Sequence, residues 1–230
     1  MSYKLIHFVL ILAISLAAWP LSAGEVIDRI VATVNGHIIL ESEVDEALCY
    51  QAFVEDRPLK PFSAEQRKAA LDRLIDQELI REEVQKSSLQ AALPAEVEAR
   101  IAEIRKLHAE VSDQASWLAA LHRYHLTADE LRERVTADLN SWKAIDARLR
   151  PSVAVDSRSI ERYYQENLLP ELHKKGAPEV PLTLVAPKIK EILAQQQMND
   201  LLVNWLKSLR TESNIQIALL PGTASAEGPN

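Results

Sequence analysis

The chain has 230 residues, with 26 Lys and Arg against 33 Asp and Glu, for a net charge of −7 at neutral pH. Interspersed charges in that balance argue against nucleic acid or anionic lipid as the main partner. The single cysteine, Cys49, excludes an internal disulfide, and a small apolar side chain on a helix is its expected role.

The first 23 residues read as a targeting segment. Lys4 supplies the positive start, FVLILAISLAAW an apolar run of 12 residues, and Pro20-Leu21-Ser22-Ala23 a small-residue exit. The run is short for a membrane-spanning helix, so the pattern predicts a secretory signal peptide cleaved after Ala23, with no stable membrane insertion afterwards. Lys4 is the only charged side chain in it, so the mature chain keeps 25 basic and 33 acidic groups, a net of −8.

VATVNGHIILESEV, residues 31 to 44, predicts a β-hairpin turning on Asn35-Gly36 and running into a helix capped by Ser42, with Asp45 as its capping-box partner. That helix spans about Glu43 to Glu55 and is broken by Pro58 and Pro61. Ser63 and Gln66 open a long helix with Leu71, Leu74, Ile75, Leu79, Ile80 and Val84 on one face. A third helix begins near Pro94, and Ser112 or Asp113 caps a short one holding Trp117, Leu118 and Leu121. Thr127 and Glu130 cap the next, which ends before Pro151 with Leu131, Val135, Leu139, Trp142, Ile145 and Leu149 at three- and four-residue spacing. A short helix follows Asp156, residues 165–181 read as a loop rich in proline, and a last long helix covers about Pro187 to Arg210. NIQIAL, Asn214 to Leu219, is a strand, and residues 221–230 are expected to be a disordered tail. The reading is a mainly α body over residues 24–220, with a three-stranded sheet made by the hairpin and the C-terminal strand, since a two-stranded hairpin alone is marginal in water.

EVIDRIVATVNGHIILESEVDEAL resembles the N-terminal hairpin and first helix of the SurA-like periplasmic chaperones, and ALDRLIDQELIREEVQK resembles their second helix. SWLAALHRYHLTADELRERVTADLNSWKAIDARLRP is similar to the paired helices that follow, and IKEILAQQQMNDLLVNWLKSLRTESNIQI to the returning helix and strand. The resemblance implies a helical, ATP-independent, periplasmic chaperone body. Such proteins usually carry one or two parvulin-type prolyl isomerase domains between the tyrosine-rich short helix and the last long helix. Here that space is RYYQENLLPELHKKGAPEVPLTL, shorter than the ~40 residues below which small domains struggle to fold, and His173 is its only histidine.

Chemical motifs are few. His122-x-x-His125 has no evident third metal ligand, and Asp76 and Glu78 read as part of a solvated charged helix face. There is no glycine-rich phosphate loop, nucleophile elbow or CxxC, so no catalytic residue, metal or cofactor is assigned. Trp142 and Trp205 read as packed, whereas Trp117, Leu121 and Tyr124 are the candidates for lining a client-binding crevice. The expected function is holding unfolded or outer-membrane-type polypeptides in the periplasm without isomerase activity. A prolyl isomerase and a dedicated envelope scaffold are the alternatives.

Overall fold

The computed structural model describes residues 28–87 and 89–218, so the expected signal segment and the tail at 221–230 lie outside the described residues. A three-stranded antiparallel sheet sits at one end of a helical body. Strand β1 (Ile30–Val34) is central, β2 (His37–Leu40) lies on one side, and β3 (Ile215–Ile217) on the other. Asn35 and Gly36 both take positive φ, 50° and 91°, as the tight turn between β1 and β2 requires.

The register of β1 against β2 shifts between Ile30 and Ala32, which breaks simple alternation and lets the adjacent Val31 and Ala32 both be buried. Against β3, Ala32 faces Ile217, Thr33 faces Gln216 and Val34 faces Ile215. Asn35 strengthens this seam. Its side-chain amide donates to Glu82 at 2.8 Å and to Ser213 at 3.2 Å, and its Oδ1 accepts the Asn214 N–H at 2.9 Å.

Helix α1 (Glu41–Val54) starts two residues before the expected place. The Glu43 carboxylate accepts the Leu40 N–H at 2.7 Å, and Asp28 takes hydrogen bonds from both the backbone and the hydroxyl of Ser42. An acid brought in from outside the helix satisfies its first turn, which local spacing could not reveal. Helix α2 (Ala64–Lys86) has the expected cap: Ser63 accepts from Gln66 N–H, and the Gln66 side chain returns to Ser63 N–H. Helices α3 (Pro94–Leu107), α4 (Gln114–Arg123, capped by Asp113) and α5 (Ala128–Leu149, capped by Thr127) follow as read.

Beyond α5 the expected loop is largely helical. Helix α6 (Ser157–Tyr163) runs into a π turn over Tyr164–Leu168 and then α7 (Leu169–Lys174). Pro170 breaks nothing there, because it occupies the first turn of α7, where its missing N–H costs no helical bond. Gly176, at φ 62°, turns the chain back, and Tyr164 hydroxyl donates to Val180 O at 2.8 Å. The last helix, α8 (Leu182–Glu212), begins five residues earlier than expected and carries Pro187 inside it.

Two cores hold the body together. The first joins Val31, Val34 and Ile39 of the sheet to Val44 and Leu48 of α1 and Ile75 and Leu79 of α2, with Leu209 and Ile215 packed on its edge. The second gathers Phe53 of α1 with Val97, Ile104, Trp117, Leu121 and Leu131. Val31 and Val34 are fully buried, each contributing about 1.5–3 kcal/mol by removal from water. Asp76 is not free on a solvated face: Arg210 Nε donates to it at 2.6 Å, fastening α8 to α2.

Replacing Asn35 by glycine keeps the turn and its backbone N–H bond to Asn214 O, and removes the side-chain links to Glu82, Ser213 and the Asn214 N–H. We expect a loss of about 1–2 kcal/mol of unfolding free energy, given the net worth of exposed hydrogen bonds, measured by denaturant titration. An unchanged midpoint would show that the chain ends are joined by β1–β3 pairing alone.

Candidate binding crevice

An open crevice of about 570 Å³ runs between α1, α2 and α5, with β2 at one end. Amphipathic spacing builds it. Each helix commits its most apolar stripe to a core, and the flanking positions, smaller or mixed in character, face one another across the gap. Ile39, Ala47, Val54, Leu74, Val84 and Ala137 supply its apolar surface.

Its polar groups are mostly paired with one another. Tyr50 hydroxyl donates to Asp138 Oδ2 at 2.6 Å, and the Arg134 guanidinium lies 5.7 Å over the Tyr50 ring. Burial, together with the Asp138 charge, pushes the Tyr50 phenol well above its ordinary value. Crowding inside the crevice also raises the Asp138 carboxyl, against the lowering effect of the Tyr50 hydrogen bond and of Arg134. Arg73 donates to Gln51 at 2.6 Å. Glu78 departs from the solvated face expected for it: it is 6% exposed, clasped by Arg81 Nε at 2.6 Å, with His37 Nε2 3.7 Å away. A buried carboxylate needs such partners, since leaving it unpaired would cost far more than the pair returns.

The residues singled out from the sequence lie elsewhere. Trp117 and Leu121 are 4% and 1% exposed and belong to the second core. Phe53 packs on Trp117 with ring centroids 5.4 Å apart, and Arg105 stacks over the indole at 5.4 Å. Tyr124 is half-buried, edge-on to Phe53, and its hydroxyl donates to Arg57 O at 2.8 Å. As folded, Trp117 and Leu121 offer no surface to a client, because the apolar stripe of α4 is used up against α3 and α5. Trp142, by contrast, was expected to be packed and is 58% exposed, while Trp205 is half-buried. His122 and His125 are both exposed, and neither joins a three-ligand cluster among the described residues. The crevice residues could have been found only by knowing that α1 and α5 approach each other, which needs tertiary structure.

Because folding raises the Asp138 pKa, its ionisation takes stability away as pH rises through the carboxylate range. Asp138→Asn should therefore be at least as stable as the parent at pH 7, with any advantage vanishing in acid, as read by thermal melts at both pH values. A loss of about 1 kcal/mol or more at pH 7 would mean instead that the ionised carboxylate is the form the Tyr50 hydrogen bond needs.

Residues 2–144 match the sequence model of the SurA-like N-terminal domain, more than half of the chain. The match ends within α5, so α6, α7, α8 and β3 lie beyond it. No curated protein matches the sequence. The hairpin, the paired capping boxes and the mainly helical body with its small sheet agree with that match, and the chain belongs to the SurA-like N-terminal domain family.

Proposed function

We propose that this protein is an exported, periplasmic, ATP-independent chaperone that holds unfolded polypeptides, outer-membrane-type chains among them, in the crevice between α1, α2 and α5. The observation that carries this reading is the crevice itself: an open gap of about 570 Å³ lined by apolar side chains and by polar groups mostly paired with one another. Such a site rewards any segment that brings apolar side chains on an extended backbone and penalises few sequences. Its contacts are individually weak, so clients can leave without an energy source. The apparent signal sequence and the family support the compartment, and among the described residues no helix is long and apolar enough to cross a membrane. The segment between α6 and α8, where related chaperones carry an isomerase domain, holds a π turn and a two-turn helix here. We propose accordingly that proline-containing peptides isomerise beside this protein at their uncatalysed rate, over roughly tens to hundreds of seconds.

The purified chain should suppress aggregation of an unfolded outer-membrane-type protein at near-stoichiometric ratio without nucleotide. Ala137 is exposed on the crevice wall, so Ala137→Trp should fill the gap, weaken holding several-fold and leave helix content unchanged. Undiminished holding by this variant would move the site elsewhere. Absence of holding by the parent would favour a dedicated scaffold.

A further inference from the structure

His108 is buried, its side chain 1% exposed, and its ring is fixed from two sides. Phe53 stacks on it with centroids 4.4 Å apart and planes at 22°, and Trp117 meets it edge-on at 6.1 Å. Its Nε2 lies buried in this packing and has no hydrogen-bond partner among the described residues. Nδ1 faces two carboxylates: Asp56 Oδ1 at 3.1 Å and Glu110 Oε1 at 3.9 Å. All three ligand atoms lie within 4.8 Å of one another. Asp56 follows the C-terminus of α1 in a left-handed conformation, φ 49°, and Glu110 sits in the turn between α3 and α4.

We propose that Asp56, His108 and Glu110 form a binding site for a zinc-like divalent transition ion, which clamps the end of α1 to the α3–α4 turn. Donors about 2.0–2.2 Å from a tetrahedral zinc lie roughly 3.3 Å from each other, and the two distances from Nδ1 bracket that value. One imidazole nitrogen and two carboxylates leave a fourth position for water, and they balance the charge of a divalent ion. The imidazole selects borderline ions over calcium or magnesium, which prefer oxygen. The fixed ring presents its nitrogen without an entropy cost on binding. Arg123 is the competing cation: it holds Glu110 Oε1 at 2.8 Å, so the ion must share that carboxylate, and affinity should be moderate. The cluster was invisible in sequence because residue 56 lies far along the chain from 108 and 110.

The test is titration of Zn²⁺ into the chelator-stripped, full-length chain. Saturable binding of one ion with a raised melting temperature is expected, with Ca²⁺ and Mg²⁺ giving neither. Co²⁺ should give visible bands of mixed nitrogen and oxygen coordination. Asp56→Asn suits the left-handed backbone, and Glu110→Gln is exposed, so both should fold. Each should lose at least ten-fold in Zn²⁺ affinity and abolish the Co²⁺ bands. No saturable binding, or binding that both variants retain through exposed histidines such as His122 and His125, would overturn the assignment.

Discussion

The pairing of β1 with β3 is the constraint on which the rest of the body depends. Residues near 32 and near 217 are brought side by side, so the whole helical chain between them must return to its start. The seam has little apolar burial on the β3 side, where Gln216 and Ile217 are exposed, and its specificity comes from hydrogen bonding. Asn35 supplies much of that, at the one place where the turn conformation and three polar partners coincide. The seam also sets Val31 and Val34 at the centre of a sheet instead of on an open edge, so their burial against α1 and α2 is retained.

From that core outwards, α2 serves both halves of the molecule. Its inner face holds the sheet through Leu71, Ile75 and Leu79, while Asp76 receives Arg210 from α8. Its remaining flank, with Leu74, Glu78, Arg81 and Val84, becomes one wall of the crevice. Phe53 then extends α1 into the second core, where α3, α4 and α5 close around it. The crevice is what remains between two cores that share α1 and are otherwise packed separately. A gap of this origin needs no specialised loop, because its walls are helices already held by the two cores.

Local signals were legible in the sequence where local physics decides the outcome. The Asn35-Gly36 turn and the Ser63–Gln66 and Thr127–Glu130 capping boxes depend on neighbours within a few residues and appear as read, whereas the stripe from Leu131 to Leu149 is buried at Leu131, Val135 and Leu149 but leaves Trp142 exposed. The third strand was legible because a hairpin without a partner is unstable. What failed needed distant partners. Asp28 moves the start of α1, Pro170 falls in the first turn of a helix that a π turn leads into, and Arg81 with His37 accompanies a buried Glu78. Aromatic character alone pointed to Trp117, which is large enough to dominate a core and is buried in one, whereas the open crevice is lined by modest residues such as Ala47 and Ala137 that attract no notice in a linear reading.

The claim that unfolded chains occupy the crevice is tested most directly by placing a photo-crosslinking side chain at Gln77, which is exposed on its α2 wall, and a second at Leu118, which is exposed on α4 away from it. With an unfolded outer-membrane-type client present, irradiation should yield abundant adducts through residue 77 at many client positions, and few through residue 118. Equal labelling at both sites, or labelling through residue 118 alone, would contradict the account.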